Sequence, residues 1–162
     1  MSAVPTRAGT RPRTDLRAPH TQLDQLAPPD RRQALSHRVL DLLADLDGTI
    51  LGGSNRAPPG SVGLHLHRDC ACANERAFLL GTEFAHIHVE DDASLHAILP
   101  EPLRTAAMDA GWAEPHPFAG QPTVSPDTVM IYAPRDAAEC AVVADLVRAS
   151  WRNAHAHPHG AV

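Results

Sequence analysis

Apolar residues recur at helical spacing along PPDRRQALSHRVLDLLADLDG. Leu35, Val39, Leu42, Leu43 and Leu46 line one side of a helix that Asp30 caps and Gly48 stops. LGGSNRAPPG, residues 51–60, reads as a loop. The period then changes to two, and Val62–His67, Ala77–Leu80, Phe84–Val89 and Leu95–Leu99 read as strands. Glu90–Ala93 is a polar turn, which makes the last two strands a hairpin. A second helix follows over Pro100–Ala110, opened by Pro and closed by Gly111. Val129–Ala133 is another strand. Asp136–Arg152 is a last helix with Asp136 as N-cap and Ala137, Cys140, Val143, Leu146 and Val147 on its buried side. Hairpin-linked strands flanked by helices predict an α+β domain, with an antiparallel sheet of about five strands and helices packed mainly on one face.

Residues 1–28 are rich in Pro, Arg, Thr and Ala and have no hydrophobic period, so a disordered N-terminal segment is expected there. Residues 29–153 form the domain, and 154–162 a mobile His-rich tail. At 162 residues one domain is expected. Aromatic residues are 4% of the chain and hydrophobic ones 43%, so the core is built from Leu, Val, Ile and Ala. The net charge of −5 argues against a nucleic-acid partner. Every basic side chain is Arg, which excludes a Schiff-base lysine and a P-loop lysine. No apolar run approaches the roughly 20 residues of a membrane span, and no apolar stretch follows the N-terminal arginines. Three cysteines, an odd number, fit a reducing compartment, and together these features predict a cytoplasmic protein.

The chemistry concentrates between Gly81 and Arg135, which hold His86, His88, His96 and His116. On a regular strand Phe84, His86 and His88 share one face, with Ala85, Ile87 and Val89 on the other. A turn centred on Asp92 places His96 across from His88. Three converging imidazoles can ligate a transition metal or relay protons around an organic substrate, and the spacing leaves both open. Glu83 falls on the opposite face unless a bulge brings it round. Trp112 anchors the loop after the second helix, and Glu114 and His116 can form a carboxylate–imidazole pair. Arg135, at a strand end, can hold an anion. Cys70 and Cys72, and His155, His157 and His159 in the tail, are given no role. No G-x-S-x-G elbow and no dinucleotide fingerprint is present.

The segments EFAHIH, SLH, GWAEPHP and YAPR, in this order, resemble the luciferase domain of bioluminescent fungi and its bacterial relatives. The resemblance runs from about Glu83 to Trp151. It implies an O2-using enzyme that adds oxygen to an enolisable or aromatic small molecule and needs no organic cofactor. His86, His88, His96, His116 and Arg135 are its candidate catalytic residues, with a His as base and Arg135 as anion stabiliser. Glu83, Ser94, Trp112, Glu114 and Tyr132 are its candidate substrate-binding residues. The fungal enzymes carry an N-terminal membrane-anchoring segment where this chain has a polar Pro/Arg-rich stretch, and oxygenation without light emission is the expectation. A His-ligated metal enzyme and a non-enzymatic ligand-binding module are the alternatives.

Overall fold

A computed structural model describes residues 3–157. It is an α+β fold built on a six-stranded antiparallel sheet, with strand order β3-β4-β5-β6-β8-β7. These strands are β3 (Thr49–Gly52), β4 (Val62–Leu66), β5 (Glu83–Ile87), β6 (Leu95–Ile98), β7 (Ala113–Pro115) and β8 (Thr128–Ile131). The helices are α1 (Pro29–Leu42), α2 (Leu103–Asp109) and α3 (Ala137–Ala154). One face of the sheet carries Ala85, Ile87, Leu95, Ala97, Val129 and Ile131 into a core shared with Val143, Leu146 and Val147 of α3 and Leu35 and Val39 of α1. That is the alternation expected of strands with one buried apolar face.

Several expectations are corrected. Asp30 lies in the first turn of α1, whose N-cap is Pro28 with no side-chain cap, because Pro at the first helical positions needs no N–H partner. Asp136 does cap α3, accepting the Glu139 N–H at 2.9 Å. Ala77–Leu80 is not a strand: Glu75–Ala77 is one 3-10 turn, capped by the Asn74 side chain. Leu51 and Gly52 belong to β3 rather than a loop, and β7 adds an edge strand that three residues around a Pro could not announce.

The N-terminal stretch differs most. Instead of being disordered, residues 3–28 are laid against the domain, with β1 (Thr14–Asp15) and β2 (Thr21–Gln22) paired as a small ribbon. The Gln22 N–H donates to Asp92 Oδ2 at 2.5 Å, and the Ala133 N–H donates to Gln22 Oε1 at 2.9 Å. The Trp112 indole donates to the Pro5 carbonyl, and the Arg7 guanidinium lies over the Trp112 and Tyr132 rings. Polar contacts of this kind leave no hydrophobic period, so the pattern that reveals helices and strands is silent here. At the other end His155, expected in a mobile tail, is buried and bridges to Ala71; His159 lies outside the described residues. Among the described residues no helix is long and apolar enough to cross a membrane.

Candidate functional site

The second face of the sheet is polar at its centre. Register places Gly63, His86, His96, Met130 and Glu114 in one row across β4, β5, β6, β8 and β7. His96 therefore sits opposite His86, two residues from the expected register with His88, though on the same face. A bulge in β5 does what a regular strand could not. Leu64 pairs with Ala85 while His65 pairs with Glu83, so Phe84 is the extra residue. Phe84 turns into the core beside Ala85, not onto the histidine face, and Glu83 comes round to His86. Gly63 helps in a different way. A Cβ there would fall 2.8 Å from the Gly53 carbonyl, so its absence lets the 53–54 backbone cross the sheet and place Ser54 Oγ, which donates to Glu83 at 2.7 Å.

The buried groups form a continuous row. Glu83 Oε1 lies 2.7 Å from His86 Nδ1, His86 Nε2 lies 2.9 Å from His96 Nδ1, and His96 Nε2 lies 3.2 Å from His20 Nδ1. His20 Nε2 then lies 2.7 Å from Glu114 Oε1. Four links join two carboxylates through three imidazoles. With both carboxylates ionised each link needs a ring proton, and three neutral imidazoles carry three. The row is therefore one proton short of full pairing unless it holds an additional proton or a cation. Glu114 also accepts from Thr14 Oγ1 at 2.6 Å and from the Tyr132 hydroxyl at 3.1 Å. Burial acts to raise its pKa, but the hydrogen bonds from His20, Thr14 and Tyr132 outweigh it and lower the value. The Tyr132 hydroxyl is pushed up to about 12 by burial and by Glu114, so it stays a donor.

His88 stands outside this row. Its Nδ1 lies 3.0 Å from Asp92 Oδ1, and Asp92 also accepts from the Ser94 N–H and hydroxyl. The turn that brings Asp92 back under His88 places Ala93 at φ 61°, a left-handed conformation. Burial pushes the Asp92 pKa up, yet hydrogen bonds from His88, Gln22 and Ser94 bring it down overall, so it accepts as a carboxylate. A neutral His88 then donates from Nδ1 and keeps its lone pair on Nε2. That atom is buried and has no hydrogen-bond partner, on a fully buried ring that lines a cavity.

The cavity measures about 350 Å³ and is walled by Pro19, Pro58, Leu79, Phe118 and Val124, with His20, His86, His88, His96 and His116 also lining it. Arg56 stands at its edge, donating to the Thr123 carbonyl at 2.6 Å. His116 is held by the Phe118 N–H, which donates to its Nδ1 at 3.1 Å, so the neutral ring carries its proton on Nε2. Burial, with the charges of His20, His86 and Arg56, lowers its pKa to about 4. The cavity thus presents the unpartnered Nε2 of His88 and, at neutral pH, a neutral donor in His116.

Not every expected residue joins the site. Arg135 is paired with Glu139 and donates to the Ala8 carbonyl, away from the cavity, because Glu139 in the first turn of α3 captures it. Glu114 and His116 do not pair, because His20 takes the carboxylate. Trp112 is buried under Arg7, and Ser94 acts on Asp92. Glu83, His86, His88, His96 and His116 are brought together. His20, Arg56 and Asp92 were missed. The His88-x3-Asp92-x-Ser94 spacing is a signal that could have found Asp92; none points to His20.

Two trios, His86–His88–His96 and His20–His96–His116, have ring nitrogens within 4.8 Å of one another, close enough to hold a transition metal. The family model of the luciferase domain matches residues 81–150. Residues 81–150 belong to the luciferase domain family. The luciferases of Armillaria gallica and Armillaria mellea are 39% identical to the chain over 70 residues, and that of Neonothopanus nambi 37%. The matched stretch covers 42% of this chain and 26% of each of those luciferases, about a quarter of their length. No solved structure matches the chain significantly. Four of the histidines facing the cavity lie within the luciferase domain, and His20 lies outside it.

Acid should loosen the domain. His116 binds its proton less readily folded, at about 4, than unfolded, near 6.5. Across that window the unfolded chain holds more protons, so stability rises with pH and is lost on acidification. His86 and His96 act in the same direction, both lowered chiefly by burial. The Tm is expected to fall as pH drops from 7 toward 4, and His116→Gln should make that fall shallower. Thermal melts in a pH series check this; an unchanged slope in the variant would place the acid sensitivity elsewhere.

Proposed function

We propose that the cavity is the active site of a small-molecule oxygenase, in which His88 removes a proton from an enolic or phenolic hydroxyl and the resulting anion reacts with O2. The observation that carries this reading is the buried Nε2 of His88, without a partner and backed by Asp92. The resemblance to fungal luciferases supports the same class of chemistry, and light emission is not part of the proposal. His88 Nε2 takes the hydroxyl proton, and the electron-rich anion forms a bond to oxygen. The His116 Nε2–H faces the negative charge that moves onto oxygen, and the Arg56 guanidinium at the rim holds the anionic edge of the substrate. The proton that His88 took is returned to the peroxide anion, which restores the neutral base. Carbon walls and a single cation at the rim suit a flat substrate with one acidic or anionic edge.

The test is oxygen uptake by purified protein over a panel of hydroxypyrones and catechols, with metal content measured on the same samples. Uptake that survives in His88→Ala would sink the reading. Arg56→Ala is expected to raise KM roughly tenfold with a smaller change in kcat, since a rim charge mainly holds the anion.

A second reading has its own support. The proton shortfall in the row, and the 3.2 Å between His96 Nε2 and His20 Nδ1, suit a metal held by His20, His96 and His116. Stoichiometric metal whose removal abolishes uptake would favour it.

A further inference from the structure

We propose that Asp47, Cys70 and His155 form a binding site for a thiol-accepting divalent metal ion such as zinc, separate from the histidine cavity. Three stretches of chain converge there. Ala71 and His155 pair as an antiparallel bridge, the Cys72 N–H donates to the Ala154 carbonyl, and the Ala156 N–H donates to the Cys70 carbonyl, both at 2.8 Å. This clamp sets Cys70 and His155 side by side. Asp47 lies beyond the C-terminus of α1, its carbonyl accepting the Trp151 indole N–H at 3.0 Å. Gly48 follows at φ +67°, and a Cβ there would come within 2.6 Å of Cys70 Sγ. Glycine is what lets the thiol lie against the turn.

One ligand atom from each of the three residues lies within 4.8 Å of the others. The His155 side chain is 4% exposed, and its Nε2 is buried without a hydrogen bond; Asp47 Oδ2 stands 3.7 Å away. A buried ring nitrogen without a partner is costly, and a metal ion would satisfy it. Cys70 is a free thiol. Metal–ligand bonds of 2.0–2.3 Å set neighbouring ligand atoms roughly 3.3–3.8 Å apart, so a modest closure completes three corners of a tetrahedron and leaves the fourth to water. Sulfur and nitrogen donors beside one carboxylate select zinc over magnesium or calcium.

Binding follows a simple balance. The Cys70 thiol gives up its proton to solvent, the Asp47 carboxylate enters ionised, and His155 presents the Nε2 lone pair with its ring proton on Nδ1. One proton is released per ion. In the free protein the His157 N–H donates to His155 Nδ1 at 3.0 Å, so that contact opens when metal binds. The ion would tie the end of α3 to the turn before β3.

Cobalt(II) added to the full chain is the probe, because a cysteine ligand gives a thiolate-to-metal charge-transfer band that histidine sites lack. The expected result is one equivalent of cobalt with that band, displaced by zinc, together with a shift of the His157 amide resonance. The band should disappear in Cys70→Ser and in His155→Asn, and persist in Cys72→Ser and His86→Ala. Cobalt bound without a thiolate band, or a band that survives Cys70→Ser, would overturn the proposal. Circular dichroism of each variant separates loss of the site from loss of the fold.

Discussion

His88→Ala should lower kcat/KM for oxygen uptake by about 10²–10⁴-fold, the range for loss of a positioned general base. The reason lies in the proton inventory of the pocket. His86, His96 and His20 each have both ring nitrogens committed within the row, and His116 Nδ1 is taken by a backbone N–H. His88 Nε2 is the buried cavity nitrogen left without a partner among the described residues. Asp92→Asn should also slow turnover, since an amide can donate to Nδ1 and would move the ring proton to Nε2, where it blocks proton removal. Added imidazole should restore part of the lost rate in His88→Ala, because the missing ring leaves a space beside the cavity. Rescue separates a chemical role from a packing role; full activity in either variant would place the base elsewhere.

Phe84→Ala should cost about 3–5 kcal/mol of stability, as expected for removing a fully buried aromatic ring. Phe84 has no exposure at all, and it is the bulge residue that allows Glu83 to reach His86. Against a total of about 5–15 kcal/mol for a domain of this kind, that loss is a large share. Urea denaturation should show a lower midpoint with little change in slope. Phe118→Ala is the control: at 40% exposure on the cavity wall it should change stability by no more than about 0.5 kcal/mol. If the two variants matched in stability, the bulge would not be anchored as described.

The strongly periodic parts of the chain were legible. α3 with its Asp136 cap, the β5–β6 hairpin and the histidine face follow from spacing alone, because apolar periodicity reports burial. What periodicity cannot report is a contact between groups far apart in sequence. His20 reaches Glu114 across 94 residues, and Gln22 reaches Asp92 across 70. The extra residue at Phe84 shifts which side chains share a face, and nothing in EFAHIH marks it. The place of Arg135 at a strand end suggests an anion binder, but Glu139 one helical turn later holds it. The sequence places Asp92 at the centre of a turn and gives its carboxylate no partner; in the structure that carboxylate both holds the turn at Ser94 and supports His88.

The lining of the cavity comes from two sources. His86, His88, His96, His116, Phe118 and Thr128 lie inside the stretch that matches fungal luciferases, whereas Pro19, His20, Arg56, Pro58 and Leu79 lie outside it. Four of the five imidazoles and part of the wall are thus written in one piece of chain, and the rest of the lining outside it. Exchanging residues 14–22 or 54–58 between relatives should change which compound is accepted while leaving the His88–Asp92 pair in place. Likeness over 70 residues would then forecast a type of reaction, and two proteins sharing it could work on unrelated metabolites.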